Sequence, residues 1–262
     1  MRAPFLRSLP LTLSLATLAV APAKAQYRGY GGYGGCREPL PGEIKSAWPR
    51  EFYYTRGIYG GSRYCSWQTD YPKSDRQFLV GVKRLIGLDL FETEHPVRLN
   101  DPDLHRFPFL YMVEVGRGEM TDEEVAGLRH YIEAGGFLVV DDFWGSYEWE
   151  VWQAQITRVF PEYRIVELPM DHPIFNMVYP IKEILQVPNV GNAYRGVTSE
   201  QDGYVPHCKG IFDKDGRLIV VINWNTDLGD AWEWAENPYY PLKYSTFAWE
   251  MGINFIVYAM SH

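Results

Sequence analysis

The sequence lacks the signatures of the commonest cofactor and hydrolase chemistries. It has no phosphate-loop lysine motif, no Gly-x-Ser-x-Gly elbow, no His-Glu-x-x-His, and no Gly-x-Gly-x-x-Gly set between a strand and a helix. Nucleotide binding and standard serine or zinc hydrolysis are therefore not expected. Cysteine is scarce, with three residues, Cys36, Cys65 and Cys208, whose spacing fits no zinc motif. Clustered positive charge is missing too. The 262-residue chain carries a formal charge of −8 and has no basic run of the kind that phosphate backbones require, so no nucleic-acid partner is expected. Apart from one stretch near the start, no hydrophobic run approaches the length that spans a bilayer.

That one stretch reads as a secretory signal. Arg2 and Arg7 precede an apolar run from Leu9 to Val20, and Ala23-Lys24-Ala25 fits a small-residue cleavage site. Residues 1–25 are assigned to the signal, which implies a periplasmic or secreted protein with no membrane span after cleavage. Cleavage takes the formal charge from −8 to −11, because Arg2, Arg7 and Lys24 leave and no acid does. Residues 26–47, rich in Gly, Tyr and Pro, read as a flexible leader, and 48–262 as a single domain with enough apolar content, 46%, for one sizeable core. An exported chain permits one disulfide, and Cys36 to Cys65 is the pairing that would pin the leader to the domain; three free or buried thiols are the equal alternative.

The centre of the domain is Gly135-Gly136-Phe137-Leu138-Val139-Val140-Asp141-Asp142-Phe143-Trp144-Gly145. Four apolar residues between a glycine pair and an acidic pair predict a strand buried on both faces, as in a parallel sheet. Before it, Phe109–Val113 predicts another strand ending at Glu114. Thr121-Asp122-Glu123-Glu124 predicts a capping box, opening a helix with Val125, Leu128 and Ile132 on its buried stripe. Strand, helix and strand at this length spell a crossover unit, which puts Glu114 and Asp141 at one edge of a parallel sheet.

The remaining elements follow the same rules. Glu51–Arg56 predicts a first strand ending at Arg56, and Ser74 with Gln77 predicts the cap of a helix through Ile86. Pro96–Leu99 is a short strand candidate, Trp149–Phe160 a helix stopped by Pro161, and Arg164–Leu168 a strand. Cys208–Phe212 and Arg217–Ile222 around Asp213-Lys214-Asp215-Gly216 predict a β-hairpin. Asn223–Tyr240 reads as a long surface loop, and Thr246–Ala259 as a closing helix.

In order along the chain, Thr55-Arg56, Trp67, Asp70-Tyr71-Pro72, Phe107–Met112, Gly135-Gly136-Phe137, Asp141-Asp142, Asp171-His172-Pro173-Ile174-Phe175, and Asn225, Asp227 and Asp230 resemble a bacterial family of unknown function. That family has the class I glutamine amidotransferase-like fold. The Gly-Gly turn and His172-Pro173-Ile174 are more distantly similar to trehalose-utilisation-type proteins. The resemblance implies a flavodoxin-like three-layer α/β sandwich with a mainly parallel sheet. In true glutamine amidotransferases the strand end after such a turn carries a nucleophilic cysteine. Asp141-Asp142 stands in the comparable place here, so glutaminase chemistry is not expected.

Ligands of open α/β sheets bind beyond the carboxyl ends of the strands, which makes Asp141 and Asp142 the first candidates for an acid–base pair, with His172 as a third. If both remain extended, the two aspartates point to opposite faces. The bland alternative is that one binds loop amides while the other pairs with Arg56. Arg56, Asp70, Glu114, Trp144, Asn225, Asp227 and Asp230 are the ligand-binding candidates. Trp67, Trp144, Trp224, Trp232 and Trp234 read as loop aromatics, offering either platforms for sugar rings or lid packing. Asn225, Asp227, Asp230, Glu233 and Glu236 alternate oxygen side chains without the spacing of an EF-hand. No cofactor is called for, and a divalent cation is the one addition an acidic pair would admit. Two functions remain open. One is a non-catalytic module for a small polar ligand, such as a carbohydrate, or for a protein partner. The other is a hydrolase or lyase with an aspartate base, with or without a metal.

Overall fold

Seven strands form one sheet in the order β2-β1-β3-β4-β7-β6-β5. The computed structural model describes residues 50–60 and 65–262, so the signal, the leader and Cys36 lie outside the described residues. The chain runs through β1 (Thr55–Ile58), α1 (Lys73–Ile86), β2 (His95–Arg98), β3 (Phe109–Val113), α2 (Asp122–Glu133), β4 (Phe137–Asp141), α3 (Gly145–Val159) and β5 (Ile165–Glu167). It continues with α4 (Val190–Arg195), β6 (His207–Phe212), β7 (Leu218–Trp224), α5 (Leu228–Glu233) and α6 (Leu242–Ser261). Strands β2, β1, β3, β4 and β7 are mutually parallel. The predicted hairpin is β6 and β7, and it adds β6 and then β5 in antiparallel sense.

Strand β3, and β4 up to Asp141, are apolar because both of their faces are covered. Alternation sends Phe109, Tyr111, Val113, Phe137 and Val139 into one core, with α1, α5 and α6. Leu110, Met112, Leu138 and Val140 enter a second core, with α2 and α3. This is a mixed α/β fold with a mostly parallel sheet and a helix layer on each face. The crossover from β3 through α2 to β4 is present as expected, with Val113 opposite Asp141. The capping box forms both of its bonds, Glu124 N to Thr121 Oγ1 (3.2 Å) and Thr121 N to Glu124 Oε2 (2.8 Å). No described helix is long and apolar enough to cross a membrane.

Four expectations need correction. The first strand is Thr55–Ile58, with Arg56 inside it, because ladder partners exist only opposite these residues; Phe52 reaches the sheet through a single bridge to Leu90. Helix α1 begins at Lys73 with Pro72 at its cap, and Ser74 is its buried second residue. Of residues 223–240, only the stretch after α5 is surface loop: β7 runs to Trp224 and α5 lies buried behind it, while Glu236, Pro238 and Tyr239 are exposed. The closing helix also starts earlier, at Leu242. Cys65 is disulfide-bonded and Cys208 is a free, buried thiol.

Candidate functional site

The chain leaves β1 toward β2 on one side and reaches β3 on the other, so the carboxyl ends of β1 and β3 flank the point where strand order reverses. Asp70 is delivered there by the segment after β1. Arg56 fixes that segment from below. Its Nε lies 3.0 Å from both oxygens of Asp75 in α1, and its Nη1 donates to the carbonyls of Trp67 (3.2 Å) and Thr69 (3.1 Å). Arg56 is fully buried and pairs with Asp75, not with the aspartate pair. Asp70 itself has φ of 61°, and its carbonyl accepts from Ser74 N (2.9 Å).

The next three parallel strands end alike. Glu114 after β3, Asp142 after β4 and Asn225 after β7 all adopt positive φ, at 55°, 52° and 62°. Among non-glycine residues Asn and Asp are the most tolerant of this region, and such conformers gather at functional sites. Glu114 Oε1 accepts from Arg117 Nη1 (2.7 Å), while its Oε2 is buried without a partner, and burial pushes its carboxyl up to about 8. Asp142 Oδ1 accepts from Trp144 Nε1 (3.0 Å); burial, then the Glu114 and Asp70 charges, hold its carboxyl well above the ordinary range. Asn225 braces the rim, accepting from Gly145 N (2.8 Å) and donating to Val205 O (2.7 Å).

Asp141 turns the other way, toward α5. Its Oδ2 accepts from Tyr111 OH (2.8 Å), Leu228 N (2.9 Å) and Gly229 N (3.1 Å). Burial raises its carboxyl to about 7 against the pull of those bonds. The first turn of α5 is thereby held over the end of β4. Asp227 caps that turn by accepting from Asp230 N (2.7 Å), and Asp230 Oδ2 accepts from Val190 N (2.5 Å). Asp70, Asp227 and Asp230 each offer a carboxylate oxygen within 4.8 Å of the others. Burial, followed by neighbouring carboxylates, pushes Asp70 and Asp227 well above their ordinary values.

The structure thus brings Asp70, Glu114, Asp141, Asp142, Trp144, Asn225, Asp227 and Asp230 to one edge. It does not bring His172 there. The His172 ring lies against Phe212 and Tyr258, and the Tyr258 hydroxyl accepts from the amide of Leu218, the first residue of β7, at the opposite end of the sheet. His172 Nδ1 accepts from Ile174 N (3.2 Å), which fixes its own loop. The tryptophans are mostly packing. Trp67, Trp144 and Trp232 are buried, and Trp224, the last residue of β7, stacks on His207. Trp234 is half-buried, with Lys73 Nζ 3.6 Å above its ring.

Sequence reasoning missed Tyr111 and Gly229. A tyrosine in the middle of an apolar strand was the available signal, since a buried hydroxyl needs a partner. Gly229 is required by crowding: a Cβ there would lie 2.8 Å from Asp70 Oδ2, 3.1 Å from Tyr111 OH and 3.5 Å from Asp227 Oδ1.

Residues 58–260 match the model of a domain of unknown function, DUF4159, and the chain belongs to that family. No curated protein matches the sequence.

Proposed function

We propose that, in this member of the family, the carboxyl edge of the sheet is a non-catalytic binding site for a small polar ligand rich in hydrogen-bond donors, a carbohydrate being the class that fits. One observation carries this reading. Asp70, Asp141, Asp142, Asp227 and Asp230 converge on one edge, and none has an ion-pair partner among the described residues; the nearby cations Arg56, Arg117 and Lys73 are taken by Asp75, by Glu114 and Glu148, and by Glu233. Carboxylate oxygens are hydrogen-bond acceptors, and at this edge Asp70 Oδ2, Asp141 Oδ1 and Glu114 Oε2 are buried without a donor, which is costly. An array of hydroxyl donors answers that need.

Two finer readings go with it. A flavodoxin-like, amidotransferase-like sandwich is supported by the parallel strand order and the helix layers, and the absence of cysteine from the strand ends at Glu114, Asp141, Asp142 and Asn225 supports a site without glutaminase chemistry. A periplasmic or secreted location is supported by the disulfide at Cys65, since such bonds persist in oxidising compartments.

The second reading, a hydrolase or lyase, is favoured by one feature. Glu114 keeps a buried, unpartnered Oε2 beside Asp142, the arrangement of a carboxyl poised to hold a proton near neutral pH. The test is thermal unfolding of the full chain in EDTA with a panel of mono- and oligosaccharides, accompanied by product analysis. The binding reading expects one saccharide class to raise Tm in wild type but not in Asp142→Asn, with the sugar recovered intact. Recovery of cleaved sugar would transfer the site to the second reading, and a panel without effect overturns both.

A further inference from the structure

The edge described above has one corner where three carboxylates meet with no cationic side chain among them, the Trp234 indole beside Asp230 being a neutral donor. Asp230 Oδ2 is engaged by Val190 N and Asp227 Oδ1 by Asp230 N, both backbone amides. Asp70 Oδ2 is engaged by nothing: the atom is fully buried and has no hydrogen-bond partner. It points into the gap left by the missing side chain of Gly229, where Asp227 Oδ1 also arrives. This orphaned oxygen is evidence independent of the clustering of acids, because a buried acceptor without a donor is rare in a folded protein. Glu233, the next acid along α5, is already paired with Lys73 (3.6 Å) and stands outside the set.

From this geometry we infer that Asp70, Asp227 and Asp230 form a site for a hard divalent cation of calcium size. Carboxylate oxygens are the donors such ions take, at about 2.3–2.6 Å for calcium, so ligands on opposite sides of one ion stand about 4.6–5.2 Å apart. The three oxygens, all within 4.8 Å of one another, fit inside that shell. The ion supplies the positive charge that no side chain brings. It also presents open coordination positions to the rim formed by Asp142 and Glu114, which is how a bound cation gathers hydroxyl oxygens of a polar ligand. The supports of the site are equally specific. Asp141 holds the amides of Leu228 and Gly229, which turns α5 so that Asp227 and Asp230 face Asp70. Arg56 holds Trp67 O and Thr69 O, which sets Asp70 from the other side. This inference rests on the reading of the edge as a ligand site, and identifies what charges it.

The test uses the full chain stripped with EDTA and titrated calorimetrically with calcium, then magnesium and manganese, in the absence of any sugar. The expected result is one saturable cation per chain, with a matching rise in Tm. Asp70→Asn, which removes charge at an oxygen that holds no hydrogen bond, should stay folded and weaken binding at least tenfold. Gly229→Ala, which pushes a methyl to 2.8 Å from Asp70 Oδ2, should weaken it as well. No saturable binding by wild type, or unchanged binding in a folded Asp70→Asn, overturns the inference. The broader reading is judged separately by the sugar panel in EDTA: saccharide binding that persists without cation and is insensitive to Asp70→Asn leaves that reading standing while the cation site falls.

Discussion

Asp141 Oδ2 and the amide of Gly229, 3.1 Å apart, tie the end of the central strand to the first turn of a helix 88 residues later in the chain. One of the two aspartates offered as an acid–base pair is a clamp on backbone amides, and the space above Gly229 is where the neighbouring carboxylates converge.

This relationship sets the outcome of truncating Asp141. Asp141→Ala strands the Tyr111 hydroxyl and the amides of Leu228 and Gly229 in a buried site, at about 1–3 kcal/mol for each group left unsatisfied. Asp141→Asn keeps one accepting oxygen and should lose much less. Denaturant unfolding of the two variants makes the comparison, and equal losses would mean that the clamp contributes little.

Arg56 should be intolerant of every substitution. Its partner Asp75 is fully buried, so Arg56→Ala leaves an uncompensated charge and should cost about 3–5 kcal/mol. Arg56→Lys should fail to rescue, because an ammonium lacks the fork that reaches Asp75 together with Trp67 O and Thr69 O. Full recovery of stability by lysine would contradict this account.

Glu114 makes stability fall as pH rises. Burial lifts its folded-state pKa from 4.5 to about 8, so the folded chain keeps a proton that the unfolded chain has already lost. The resulting stabilisation is complete below about pH 4.5 and disappears as the pH rises through about 8. Glu114→Gln should flatten the Tm profile between those limits, at about 2–4 °C for each kcal/mol removed. An unchanged slope would place the titrating group elsewhere.

Cys208 should be inert in the folded protein. It is buried in β6, and burial pushes its thiol far above the ordinary range. Thiol labelling of the native chain should be the same in wild type and Cys208→Ser, with a difference appearing only in denaturant. Rapid labelling that disappears in the variant would show that the strand opens.

Most of the sheet was legible because long apolar runs and capping chemistry act locally. Phe109–Val113, Phe137–Val140, Thr121 with Glu124, and the Asp213–Gly216 turn each declare themselves within a few residues. What failed depended on partners far along the chain. The start of β1 is set by ladder bonds to β2 and β3, and the burial of residues 223–233 by bonds to Asp141, invisible in a stretch that reads as polar loop. Topology gathers most of the candidate residues at one edge, whereas the contacts of each carboxylate are set by distant partners. Whether a carboxylate is free or clamped depends on amides 80 or more residues away, and a His-Pro-Ile segment carries no mark of which end of the sheet it closes.

Three adjacent strands leave the sheet through Glu114, Asp142 and Asn225, all in a conformation that glycine adopts more readily. Glycine at positions 114, 142 and 225 would relax the backbone but strip the bonds these side chains make to Arg117, to the Trp144 indole, and to Gly145 and Val205. Each exit thus sets local backbone ease against a side chain that ties the rim together.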